Sequence, residues 1–193
     1  MNAKWCLLLL GFGAAAHAVT VFGIKLGAPL DMRECGYSRI DASTVIFNPP
    51  THGACYQIEG THGRTQVRSD DNLFVSWAQP PGIATGDAFL QLVGAKVQGI
   101  GVNTSGIETQ RADFSALVRK FGKPQQMETV PMGNAMGAVF NAIRARWDLA
   151  DGTRIKYSAA DDRIDRGLIS ISTPAGRAAT RAQLAKLNRG SGL

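Results

Sequence analysis

Cysteine, histidine and aromatic side chains are all scarce in this 193-residue chain, with three cysteines, three histidines and an aromatic content of 7%. So few histidines leave little material for general-base chemistry or for a histidine-rich metal site. No Gly-x-Ser-x-Gly elbow, Ser-x-x-Lys box or Cys-x-x-Cys pair occurs, and with them go the usual marks of serine hydrolases and thiol oxidoreductases. The glycine-rich run Gly99-Ile-Gly101-Val-Asn-Thr-Ser-Gly106 matches no phosphate loop. Thr104 stands where a dinucleotide fingerprint needs its third glycine, and Ile107-Glu108 stands where a P-loop needs Gly-Lys-Ser/Thr. No catalytic residue, cofactor or bound metal is therefore expected. The longest apolar run, Trp5–Ala16, is about 12 residues, short of the roughly 20 that a spanning helix needs.

That run is informative for another reason. Lys4 precedes it and Ala16-His17-Ala18 follows it, giving the charged start, apolar centre and small-residue exit of a cleavable secretory signal over residues 1–18. Val19 follows the exit, so the site lacks the cysteine of a lipoprotein. Cleavage removes Lys4 and Cys6 and lowers the net charge from +6 to +5. The expected location is periplasmic or secreted. Cys35 and Cys55 then remain as a pair, and in an oxidising compartment such a pair is expected to form a disulfide. Closing that loop stabilises the fold by about 3 kcal/mol on the chain-entropy model.

A composition of 45% hydrophobic and 19% charged residues is that of a folded domain. Phe114, Leu117, Val118 and Phe121 recur at i, i+3, i+4 and i+7, which predicts a helix over Gln110–Phe121. Thr109 is placed to cap it, and Gly122 and Pro124 to end it. Ala142–Leu149 and Thr153–Ala159 alternate in polarity around Asp151-Gly152, a hairpin signal, and Gly167–Thr173 reads as a third strand after a polar turn at Asp161–Arg166. In the first half, Val19–Leu26, Thr44–Phe47, Ala54–Glu59, Asn72–Ala78 and Ala95–Asn103 read as strands. Pro29–Cys35 reads as a short helix, and Gln79–Gly86 as a loop. The expected fold is α+β, an antiparallel meander sheet packed on one or two helices. Val21-Phe-Gly-Ile-Lys-Leu26 echoes Val97-Gln-Gly-Ile-Gly-Val102, which suggests a tandem repeat of a helix-plus-meander unit. The divisions are 1–18 signal, 19–103 N-terminal half, 104–173 C-terminal half, and 174–193 a basic helix or tail with little to bury.

Two groups of side chains are the candidates for function. Arg144, Arg146, Arg154 and Lys156 project from one face of the hairpin and form a basic stripe suited to another envelope protein or an anionic surface. Nucleic acid is not an expected partner, because no aromatic platform interleaves these basic residues and the compartment is wrong. The sequence leaves the oligomeric state open. The second group is His52, Cys55 and His62 as metal ligands, with the carboxylates Asp70-Asp71 and Asp161-Asp162 as acid–base candidates.

The helix Gln110–Phe121 followed by strands over Arg144–Thr173, with the Gly-Ile echo, resembles two small exported bacterial folds. One is the small lipoprotein of the outer-membrane β-barrel assembly machinery, from which this chain departs in lacking a lipobox. The other is the tandem-repeat β-lactamase-inhibitor-protein fold. The resemblance is architectural and covers about a third of the chain. It implies a soluble, non-enzymatic protein-binding, assembly or inhibitor module. The alternative is a small periplasmic hydrolase or metal-dependent enzyme centred on His52, His62 and Asp70-Asp71.

Overall fold

The computed structural model describes residues 19–39, 45–48, 50–58, 72–85, 88–133 and 136–190. The signal segment 1–18, His62 and Asp70-Asp71 lie outside the described residues, as do 191–193 of the basic tail. The chain is α+β. Its short leading strands are β1 (Thr20–Val21), β2 (Ile24–Lys25), β3 (Arg33–Glu34), β4 (Gly36–Arg39) and β5 (Val45–Asn48). The strands β6 (Ala54–Ile58), β7 (Asn72–Trp77), β8 (Ala88–Val93) and β9 (Lys96–Thr104) lead into helix α1 (Gln110–Phe121). Then come β10 (Gln126–Gly133), β11 (Val139–Asp148), β12 (Arg154–Arg163), β13 (Arg166–Ser172) and helix α2 (Pro174–Gly190). Neither helix is long and apolar enough to cross a membrane.

One nine-stranded sheet dominates, in the order β10-β11-β12-β13-β9-β8-β7-β6-β3. Every pairing in it is antiparallel except β3 with β6. Strands β9 and β13 meet at its centre, so the two halves of the chain share one sheet. Because side chains alternate along each strand, register partners carry one face right across. Leu73, Leu90, Ile100, Ile171, Ile155 and Trp147 are successive partners, as are Val75, Ala88, Val102, Ile169, Tyr157 and Ala145. All twelve are buried, and they make the inner face.

Helix α1 covers that face, as its spacing predicts. Leu117 is 2% exposed, and the Phe114 and Trp147 rings lie 6.1 Å apart between centroids. Trp147 Nε1 donates to the Gly122 carbonyl at 2.8 Å, which satisfies the indole inside the core. Gly122 ends the helix at φ 78°, a conformation that favours glycine. The expected cap differs in detail. Thr109 makes no side-chain bond to the helix backbone, and its hydroxyl donates to Asp113 Oδ2 at 2.7 Å. Asp113 is buried, and burial raises its carboxyl pKa against the opposing hydrogen bond from Thr109. Burial likewise raises the Tyr157 phenol, and the charge of Asp113 adds to it.

The disulfide Cys35–Cys55 forms, with Cα atoms 4.9 Å apart, and ties the end of the edge strand β3 to β6. Other expectations are corrected. Pro29–Cys35 is not a helix, because Pro29 bridges to Lys96 and Arg33–Glu34 pairs with Cys55–Tyr56. Val21–Leu26 is broken at Phe22-Gly23, where both residues take positive φ, whereas Val97–Val102 lies within the one strand β9. The polar turn after β12 is tighter than expected, since β12 continues to Arg163 and β13 starts at Arg166.

Candidate binding face

The opposite, outer face of the sheet follows from the same register. Phe74, Phe89, Gly101, Ser170, Lys156 and Arg146 are successive partners across it. A second row is Asn72, Gln91, Gly99, Ser172, Arg154 and Asp148. Arg144 sits beside this pattern, opposite Ser158. The four basic residues singled out in the hairpin therefore share one face.

They are not electrically equivalent. Asp148 accepts from Arg154 Nε at 2.6 Å and lies 3.0 Å from Arg146 Nε. The hydrogen bond from Arg154, with both positive charges nearby, holds the Asp148 carboxyl below the usual carboxylate range. Arg144 and Lys156 make no ion pair among the described residues. These two are the stripe's uncommitted charges.

Two further cations join the face from α2. That helix starts where sequence places it. Thr173 caps it, its hydroxyl accepting from Gly176 N at 3.1 Å. The same hydroxyl donates to the side chain of Gln98, whose carbonyl accepts from Thr173 N at 2.9 Å. Gln98 is the extra residue of a bulge in β9, between the pairs Gln91–Gly99 and Leu92–Val97. Gly176 permits the approach, since a Cβ there would collide with the Gln98 carbonyl. The Arg177 guanidinium donates to the carbonyls of Ser172 at 2.8 Å and Gly152 at 2.9 Å. Its pKa is lowered, first by burial and then by the charge of Arg154. One turn on, Thr180 Oγ1 accepts from Gln91 at 3.0 Å. From Arg181 to Arg189 every residue of the helix is exposed.

The result is two hollows on one face, each about 700 Å³, which meet at Lys156 and Ser170. One is walled by Arg144, Arg146 and Glu128, the other by α2 and the register partners Phe74 and Phe89. Sequence reasoning missed both phenylalanines. The signal for Phe89 is Gly101 beneath it, where any Cβ would enter the ring. That signal becomes readable only once β8 and β9 are paired.

The residues considered for metal or acid–base chemistry are not assembled. Cys55 is in the disulfide and has no thiolate to offer. His52 is exposed and lines a separate hollow with Asp31 and Trp77. Asp162 pairs with Arg166 at 2.6 Å on the exposed β12–β13 turn. Among the described residues, no group of three or more His, Cys, Asp and Glu could hold a metal ion. No protein-family model matches the chain, and neither the curated proteins nor the solved structures compared with it give a match.

Proposed function

We propose that the protein is an exported, periplasmic binding module, soluble and without enzymatic activity, whose outer sheet face contacts an acidic segment of another envelope protein. The observation that carries this reading is the pair of uncommitted cations on the outer face, Arg144 and Lys156. An acidic partner gains Coulomb attraction there without first breaking an ion pair. The disulfide fits an oxidising compartment.

We read the sheet further as two copies of one unit. Strands β6 to β9 with α1 correspond to β10 to β13 with α2, the two units joined through their last strands. The strand order supports this, although the helix after each last strand turns to a different face, α1 to the inner and α2 to the outer. A binding or inhibitor role in the manner of the tandem-repeat inhibitor fold then uses the outer face.

The test compares the parent with Arg144→Glu/Lys156→Glu in affinity capture from an envelope fraction, followed by purification of the captured protein and titration at two salt concentrations. Both side chains lie outside the Asp148 cluster, and circular dichroism checks the fold. Loss of capture, with affinity in the parent falling as salt rises, supports the reading. Equal recovery with the double variant removes the basic face from it.

A further inference from the structure

The hollow beneath α2 differs chemically from the rest of the outer face. Arg154, Lys156, Arg177 and Arg181 line it, and none of its lining residues is a carboxylate. Asp148 offsets one of these charges through its bond to Arg154. Arg177 is spent on two backbone carbonyls, and Lys156 and Arg181 make no ion pair among the described residues. Arg154 and Arg181 both act on Arg177 as like charges, so the cluster is crowded with positive charge. An anion placed among them relieves that repulsion.

The other end is apolar. Phe74 and Phe89 are register partners on β7 and β8, 42% and 39% exposed, side by side next to the polar pair Asn72 and Gln91. Leu184 is 53% exposed and lies one helical turn beyond Thr180 on the same side of α2, the side that meets Gln91. Between the two ends the floor is low, made of Gly99, Ser170 and Ser172. From β8 to β12 is three strand spacings, or about 14 Å. The volume, about 710 Å³, lies within the range of small-molecule sites.

We infer that this groove binds a small amphiphilic anion, its anionic head among Lys156, Arg154 and Arg181 and its acyl or aromatic body along Phe89 and Phe74 under α2. The site goes beyond the protein contact proposed above. Arg144, which belongs to that contact, is not part of the groove, and Arg181 is not part of the stripe.

The experiment is calorimetric titration of the purified protein with dodecyl phosphate, inorganic phosphate and dodecyltrimethylammonium, each below any micelle concentration. Dodecyl phosphate should bind with one-to-one stoichiometry and at least about tenfold more tightly than either of the others. Arg181→Glu should weaken it at least about tenfold, the loss carried by one charge-assisted hydrogen bond, with the thermal midpoint unchanged because the side chain is exposed. Phe74→Ser should weaken dodecyl phosphate and leave the response to inorganic phosphate as it was. Arg144→Glu should leave all three titrations within twofold, which separates this site from the protein contact. Equal binding of the cationic amphiphile, or an unchanged affinity in Arg181→Glu, would overturn the inference.

Discussion

Helices α1 and α2 occupy matching places in the chain, each after the last of four successive antiparallel strands, but they are held by different means. α1 is fixed along its length by side chains. Phe114 and Leu117 meet the inner face, Gly122 receives the Trp147 indole, and the Gln110 amide docks on β11. α2 is fixed at one end by polar contacts. Thr173, Gly176 and Arg177 engage the Gln98 bulge and two carbonyls, after which the helix runs on exposed. Helical stability in proteins comes mostly from packing an apolar face. One helix completes the core, and the other roofs a groove.

Four substitutions would break or sharpen that contrast. The largest effect belongs to Leu117→Ala, which removes a buried side chain and should cost about 2–5 kcal/mol in a urea unfolding titration. Gly176→Val places branched bulk against the Gln98 carbonyl and should cost about 1–3 kcal/mol. Amide hydrogen exchange should accelerate along α2 while α1 keeps its protection. If α2 exchanged no faster, the bulge would not be what holds it.

Asp113→Asn comes next, and its effect depends on pH. The native carboxyl pKa is raised, so between the unfolded value of about 3.9 and the native value the folded protein binds more protons than the unfolded chain. Stability from this group is therefore present below the unfolded pKa and lost as pH rises through the native one. The Asn variant should stay within about 1 kcal/mol of the parent and lack that part of the slope. Unfolding titrations between pH 4 and pH 7 measure it, and parallel slopes would show that the Asp113 proton is not coupled to folding. Leu184→Ala is the smallest, below about 0.5 kcal/mol, since Leu184 is more than half exposed. A loss near that of Leu117→Ala would mean that α2 is packed after all.

The same contrast explains what was legible in the sequence. The α1 pattern is local, with four large apolar residues at helical spacing, and its observed limits match the expected ones. The hairpin face was legible too, because Asp151-Gly152 sets the turn and alternation sets the side. Strand β8 was missed because Phe89 breaks the alternation, adding an apolar residue to the outer face where Gly101 makes room for it. Strand β10 is an edge strand, mostly exposed and interrupted by Pro131, so it carries little periodic signal. The candidate site was half legible. The β11 and β12 cations follow from one hairpin, but the places of Arg177 and Arg181 on the face are set by contacts far apart in sequence, such as that of Thr173 with Gln98, 75 residues apart. The expected helix at Pro29–Cys35 failed for a related reason, as pairing to β6 and the disulfide draw that segment out straight.

The amide of Gln110 has a consequence of its own. Its oxygen accepts from Ile143 N and its nitrogen donates to the Asn141 carbonyl, both at 3.1 Å. One side chain thus stands in for a neighbouring strand where β11 runs beyond its last pair with β12, at Arg144–Ser158. Beyond that seal the β10–β11 ribbon pairs, among the described residues, with itself alone, out to Gly133 and Val139. Its length is accordingly a free design variable. Residues added in matched pairs to both arms keep the in–out alternation, so the ribbon can be lengthened to carry a foreign epitope while the sheet behind Gln110 keeps its register.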